Sequence, residues 1–158
     1  MTPRQPSDNA GVVGVGYEGR TIDEFLQELR NLGVSRLADV RLTPVSRKPG
    51  FSKSALVRAL AEVGIAYEHY RELGNPKPNR AGFSGTADDL EAARAVYGAR
   101  LKYPEASEAI AELAAVVQEE RVAVLCFEAD QDRCHRDLVL SEVSRRAVSV
   151  LGRTLRGR

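Results

Sequence analysis

Cysteine and histidine occur only twice each in this chain, tryptophan is absent, and aromatic residues make up 6%. Two cysteines are too few for a disulfide scaffold, so they read as free thiols, metal ligands or a redox pair rather than a structural staple. Sparse aromatics leave few platforms for stacking nucleic-acid bases. A net charge of +1 gives no whole-molecule field of either sign. Any nucleic-acid or membrane partner must therefore be argued from local clustering. No apolar run approaches the length of a membrane span, and the opening MTPRQPSDNA lacks the apolar core of a signal peptide. A cytoplasmic protein without a membrane partner is expected. No internal repeat is visible.

With 43% hydrophobic and 28% charged residues in 158, the chain has enough material for one globular domain with a real core. Residues 1–10 are polar and aperiodic and read as a disordered arm, leaving 11–158 as a single α/β domain. Val12, Val13 and Val15 form a first strand. Thr21 with Glu24 makes a capping box for a helix carrying Ile22, Phe25, Leu26 and Leu29, stopped at Gly33. A second strand, from Arg36 to about Arg41, delivers Asp39 and Arg41 to its carboxyl end. After a loop to Phe51, Ser52 or Ser54 can cap a helix with the stripe Leu56, Leu60 and Val63, and a third strand follows over 65–70.

Residues 71–85, rich in glycine and proline, read as a mobile loop or lid, with helices predicted over 86–97 and 105–118. The apolar run from Val122 to Leu125 suits a strand buried on both faces. The polar turn after Cys126 leads to a helix expected to hold Cys134, His135 and Arg136 in its first turn, capped by Asp130 or Asp132. A short edge strand is expected over 147–151. The fold class is therefore α/β: a mainly parallel, Rossmann-like three-layer sandwich of four to five strands with helices on both faces. The favoured strand order is three, two, one, four. Loops 17–20 and 126–136 then flank one switch-point crevice.

Three kinds of chemistry are open to these residues. From Val40 to Ala61 the chain has five cations and no acid. Arg20, Arg41, Arg47 and Arg136, with the amides of a helix starting at Cys134, are candidates for binding an anion. Alternatively the arginines pair with Asp39, Glu18 and Glu128. Cys134 is a candidate nucleophile, favoured over Cys126 by the helix dipole and Arg136, with His135 or His69 as base and Glu128 or Asp39 as orienting partner. Cys126, ending a buried run, reads as the inert thiol. A metal on Cys126, Cys134, His135 and His69 is the alternative use of all the soft ligands, but C-x7-C-H is no standard zinc spacing, and no metal is expected. GVVGVG lacks the G-x-G-x-x-G register of a dinucleotide loop.

The segments VGYEGRTIDEF, ADVRLTPVSRKPGFSK, YEHYRELGNPK and CFEADQDRCHR together resemble the domain of unknown function 488 family over about residues 12–146. The resemblance implies a compact α/β domain and no particular reaction. It directs attention to Asp39, Arg41, Arg47, His69, Gly74, Cys126, Glu128, Cys134, His135 and Arg136. In layout alone the chain is similar to rhodanese-type sulfurtransferases and cysteine phosphatases. The functional expectation is an enzyme whose Cys/His/Arg crevice acts on a phosphate-bearing or other anionic small molecule, such as a nucleotide. The alternative is a non-catalytic nucleic-acid or nucleotide-binding domain using residues 47–53 and 71–80. A small metal-binding or redox protein is the third reading. No cofactor and no oligomeric state is specified by the sequence.

Overall fold

The most apolar strand takes the middle of the sheet. A computed structural model describes the backbone of residues 10–156 and side chains as far as residue 148. The expected arm, residues 1–10, falls outside the described residues but for Ala10. Strand β4 (Arg121–Cys126) pairs in parallel with β1 (Gly11–Gly16) on one side and β2 (Arg36–Asp39) on the other. Strand β3 (Ala66–His69) completes the order β1-β4-β2-β3. This corrects the expected order three, two, one, four by placing the fourth strand inside the first. The reason lies in side chains: Val122 to Leu125 are fully buried, whereas the glycine-rich β1 is mostly half-buried and suits an edge.

Alternation along the strands sorts the core into two layers. Leu37, Ala123 and Leu125 face α1 (Ile22–Asn31) and α2 (Lys53–Glu62), packing with Phe25, Leu29, Leu56 and Leu60. Ala38, Val122, Val124 and Cys126 face the other layer, α3 (Lys77–Phe83), α4 (Ala87–Arg100), α5 (Pro104–Val116) and α6 (Arg136–Arg156). Both Thr21–Glu24 and Thr86–Asp89 close reciprocal capping boxes. Ser52 occupies the α2 cap position, but its hydroxyl bonds to the backbone of Ser46 instead.

Three local expectations are corrected. The segment over 71–85 is a 3-10 turn followed by α3, held by Tyr97 Oη donating to the Leu73 carbonyl and Arg80 Nε donating to the Asn75 carbonyl. The expected edge strand over 147–151 is helical, because α6 continues without a break from its buried Val139 and Val143 face. That helix begins at Arg136, so Cys134 is extended and outside it. Asp130 caps the 3-10 turn Gln131–Arg133 rather than α6, accepting from the Asp132 amide.

A buried ion pair ties the carboxyl end of β2 to the segments after β1 and β2. Asp39, fully buried, accepts two bonds from the Arg41 guanidinium, at 2.9 and 2.7 Å, and one from Tyr67 Oη at 2.6 Å. Arg41 also donates to the Phe51 carbonyl and Tyr17 Oη. Asp39→Ala should therefore cost roughly 3–5 kcal/mol, because it leaves a buried guanidinium without its anion. Urea unfolding at neutral pH checks this, with a loss below about 1 kcal/mol as the contrary result.

Candidate functional site

Parallel sheets present their functional loops at the carboxyl ends of the strands, and here the segments after all four strands converge. After β4 the chain turns through Phe127–Asp130 and Gln131–Arg133 before reaching Cys134. The turn is tied to the loop after β1: the Glu18 amide donates to the Phe127 carbonyl, and the Ala129 amide donates to the Glu18 carboxylate. Close approach requires glycine in β1. A Cβ on Gly16 would meet the Glu128 carbonyl, and one on Gly14 would lie 2.8 Å from Leu140 Cδ1 on α6. Those glycines let the turn after β4 and α6 pack closely on β1. Gly74 plays the same part on the far wall, where a Cβ would lie 2.5 Å from Leu42 Cα.

The loops enclose a cavity of about 150 Å³ lined by Tyr17, Arg41, Asn75, Arg80, Phe83, Phe127, Glu128 and both cysteines with His135, among others. Cys126 and Cys134, 2% and 1% exposed, are joined sulfur to sulfur. Their Cα atoms are 7.4 Å apart, above the roughly 4.4–6.8 Å common among disulfides. The two side chains reach toward each other from opposite ends of the turn.

His135 is fixed from behind. Its Nε2 lies 2.9 Å from the Val40 carbonyl, which can only accept, so Nε2 carries the proton and Nδ1 presents a lone pair. Nδ1 lies 3.7 Å from Cys134 Sγ, and the ring meets Tyr97 edge to face at 5.1 Å. Burial lowers its pKa to about 4, with Arg80 and Arg136 adding to the effect and the Val40 bond opposing it. The imidazole is therefore neutral throughout the neutral range.

Arg136 points its guanidinium at Cys126 rather than Cys134. Nη1 donates to Cys126 Sγ at 3.1 Å and to the Glu128 carbonyl, and Nη2 donates to the Ala129 carbonyl. Only its backbone amide reaches Cys134 Sγ, at 3.5 Å. The next amides of α6 are also occupied: Asp137 donates to the Cys134 carbonyl, and Leu138 and Val139 to that of His135. The helix start thus offers no free row of donors of the kind expected for an anion.

The other expected residues are distributed unevenly. Glu128 lines the cavity, and its carboxylate bonds to nothing among the described residues. Arg41 reaches the cavity while engaged by Asp39, Phe51 and Tyr17. Arg20 pairs with Glu28 and lies outside the lining, while Arg47 is exposed in the loop after β2 and does not line it either. His69 is not brought to the cysteines; its Nε2 bonds to the Arg41 carbonyl, and the ring borders a separate hollow with Glu68, Glu72, Glu105, Glu108 and Glu112. Of the four soft ligands, Cys126, Cys134 and His135 come within 4.8 Å of one another. With the sulfurs bonded together, neither presents a thiolate. Phe51 and Tyr70 are buried away from the cavity, and Tyr17 and Phe83 are buried at its wall.

Asn75 and Arg80 were not singled out from the sequence. Asn75 lies in the YRELGNPK stretch and Arg80 ends the 71–80 segment of the binding alternative, and the place of both at the cavity depends on α3 folding back over it. A family model, Domain of unknown function DUF488, matches residues 21–143. The chain belongs to the DUF488 family. No curated protein matches it, and neither does any solved structure. Within this DUF488 chain no described helix is long and apolar enough to cross a membrane.

The His135 environment has a consequence for acid stability. An unfolded histidine binds a proton near pH 6.5, whereas the folded one resists until about 4. Its contribution is fully present above pH 6.5 and is lost progressively as pH falls toward 4. The shift corresponds to about 3 kcal/mol at most. Between pH 7 and 4.5, denaturant unfolding should show a smaller loss for His135→Gln than for the wild type. Equal losses would contradict the buried, neutral imidazole.

Proposed function

We propose that this DUF488 protein is an enzyme in which Cys134 forms a covalent bond to a small anionic substrate, with His135 as its base. The observation that carries the reading is the lone pair of His135 Nδ1, 3.7 Å from Cys134 Sγ on the cavity wall. In the dithiol form that nitrogen can accept the Cys134 proton as sulfur attacks. Its low pKa limits it to passing the proton on rather than holding it. Glu128 stands at the same cavity with a free carboxylate, available to receive that proton or to orient the substrate.

A cavity of about 150 Å³ is smaller than the roughly 300 Å³ at which ordinary ligand pockets begin. It admits the reacting end of a substrate while the remainder stays at the mouth. Arg80 is exposed there, and beyond its Nε bond to Asn75 its guanidinium is uncommitted among the described residues. It is the cation best disposed to meet a phosphate or carboxylate, with Arg136 adding positive potential from inside. A nucleic-acid reading gains nothing from the burial of the aromatic rings.

The test uses Cys126→Ser, in which Cys134 is the only thiol. Iodoacetamide should modify Cys134 faster than a model thiol at pH 7, and His135→Gln in that background should slow it about tenfold. Inorganic phosphate should protect Cys134, and Arg80→Ala should abolish the protection. Peptide mass spectrometry over a time course reads all three. A rate no higher than the model thiol and indifferent to His135 overturns the assignment.

A further inference from the structure

Arg136 is a cation in the wrong place for a plain disulfide. It is 2% exposed, and its bonds go to two uncharged carbonyls and to Cys126 Sγ. Its Nε is buried without a partner among the described residues. The carboxylates of Glu128, Asp130 and Asp137 act on it through space only, and among the described residues none of them bonds to it. A buried charge requires an anion in contact or remains poorly compensated. Among the described residues, the one atom bonded to the guanidinium that can become negative is Cys126 Sγ, at 3.1 Å. While the sulfurs are joined it is neutral. When the bond opens, Cys126 becomes a thiolate within charge-assisted hydrogen-bond distance of the guanidinium, so the reduced form gains an ion pair that the oxidised form lacks.

We infer that Cys126 and Cys134 form an exchangeable catalytic dithiol–disulfide couple acting on small anionic thiols and disulfides, with Cys134 bonding the substrate and Cys126 serving as the thiolate held by Arg136. This rests on the Cys134–His135 reading and adds to it a substrate class and a role for Cys126. The geometry divides the sulfurs accordingly: Cys134 has the base, and Cys126 has the cation. A low-pKa thiol is the better leaving group, so attack at Cys134 with departure of Cys126 is the favoured direction.

The exchange balances as follows. A thiol R–SH gives up its proton through His135 Nδ1 to solvent as its sulfur attacks Cys134 Sγ. The Sγ–Sγ bond breaks, and its electron pair stays on Cys126. A second R–SH attacks the R-bearing sulfur of the mixed disulfide, releasing R–S–S–R. Cys134 departs with the electron pair of its bond to the R-bearing sulfur and is protonated through His135 from the second thiol, which leaves one proton per cycle in solvent. Two thiols are oxidised to one disulfide, and the protein pair gains two electrons. In reverse, Cys134 attacks R–S–S–R, and the Cys126 thiolate displaces the second R–S⁻.

Glutathione, a small thiol carrying carboxylates, serves as the probe. The full chain is equilibrated at pH 7 in buffers of reduced and oxidised glutathione, quenched in acid and mass-tagged. Arg136→Met should disfavour reduction of the pair by about tenfold or more, equivalent to about 30 mV, and Arg136→Lys should recover most of the difference. Should Arg136→Met not fold, thiolate absorbance in Cys134→Ser gives a second reading. Cys126 there should ionise at least about one pH unit below the ordinary value of about 8.5, and Cys126→Ser should accumulate a glutathione adduct on Cys134. The inference is overturned if Cys126 ionises at or above the ordinary value, if excess glutathione leaves the pair unreduced, or if freshly purified protein carries one zinc per chain and no exchangeable disulfide. These failures, with fast His135-dependent labelling of Cys134 intact, would remove the couple alone. Slow, His135-independent labelling would remove the nucleophile reading beneath it.

Discussion

A strand that is apolar on both faces must be covered on both faces, and that requirement sets the plan of this molecule. Val122 to Leu125 leave no side of β4 suited to water. The strand therefore lies between β1 and β2, with α1 and α2 on one face and α3 to α6 on the other. Because the sheet is parallel, the chain leaves β4 on the same edge as β1 and β2. The segments after all four strands meet there for a topological reason, and the cavity is the space between them.

Inserting β4 between β1 and β2 also decides which side chains meet. Cys126 ends the strand on the face shared with Val40 and α6, so His135 can reach back across β4 to the Val40 carbonyl. The 126–136 segment must then fold tightly enough for Arg136 to reach Cys126, and it does so through a 3-10 turn capped by Asp130. Arg136 works as a staple: it holds the Glu128 and Ala129 carbonyls while presenting its charge to the sulfur. Backbone positioning and electrostatics are thus assigned to one residue. Asp39 and Arg41 play the corresponding structural part under the loop after β2, with each other as partners.

Much of the candidate site was legible because its residues cluster in CFEADQDRCHR, and local reading needs no knowledge of the fold to notice that concentration. What local reading could not supply was direction. Cys134 and Arg136 are neighbours in sequence, which suggested that the arginine serves that cysteine, yet its guanidinium reaches ten residues back to Cys126. His69 is a strand-end histidine like any candidate base, but β3 is the edge farthest from β1, and the ring turns to another hollow. Asn75 and Arg80 lay in a segment whose prolines and glycines read as a lid. Pro78 sits in the first turn of α3, where a missing amide costs nothing, so proline there helps start a helix.

The sequence by itself determined what depends on neighbours a few residues apart: the capping boxes, the apolar periodicity of α1 and α2, the parallel α/β class, and the grouping of two sulfurs, an imidazole and a guanidinium in one short segment. Only the tertiary structure decided the strand order, because order follows from comparing the burial demands of strands more than a hundred residues apart. It alone decided that Arg41 is neutralised by Asp39 while Arg136 has no bonded carboxylate, since a charge's partner is fixed by packing and not by spacing.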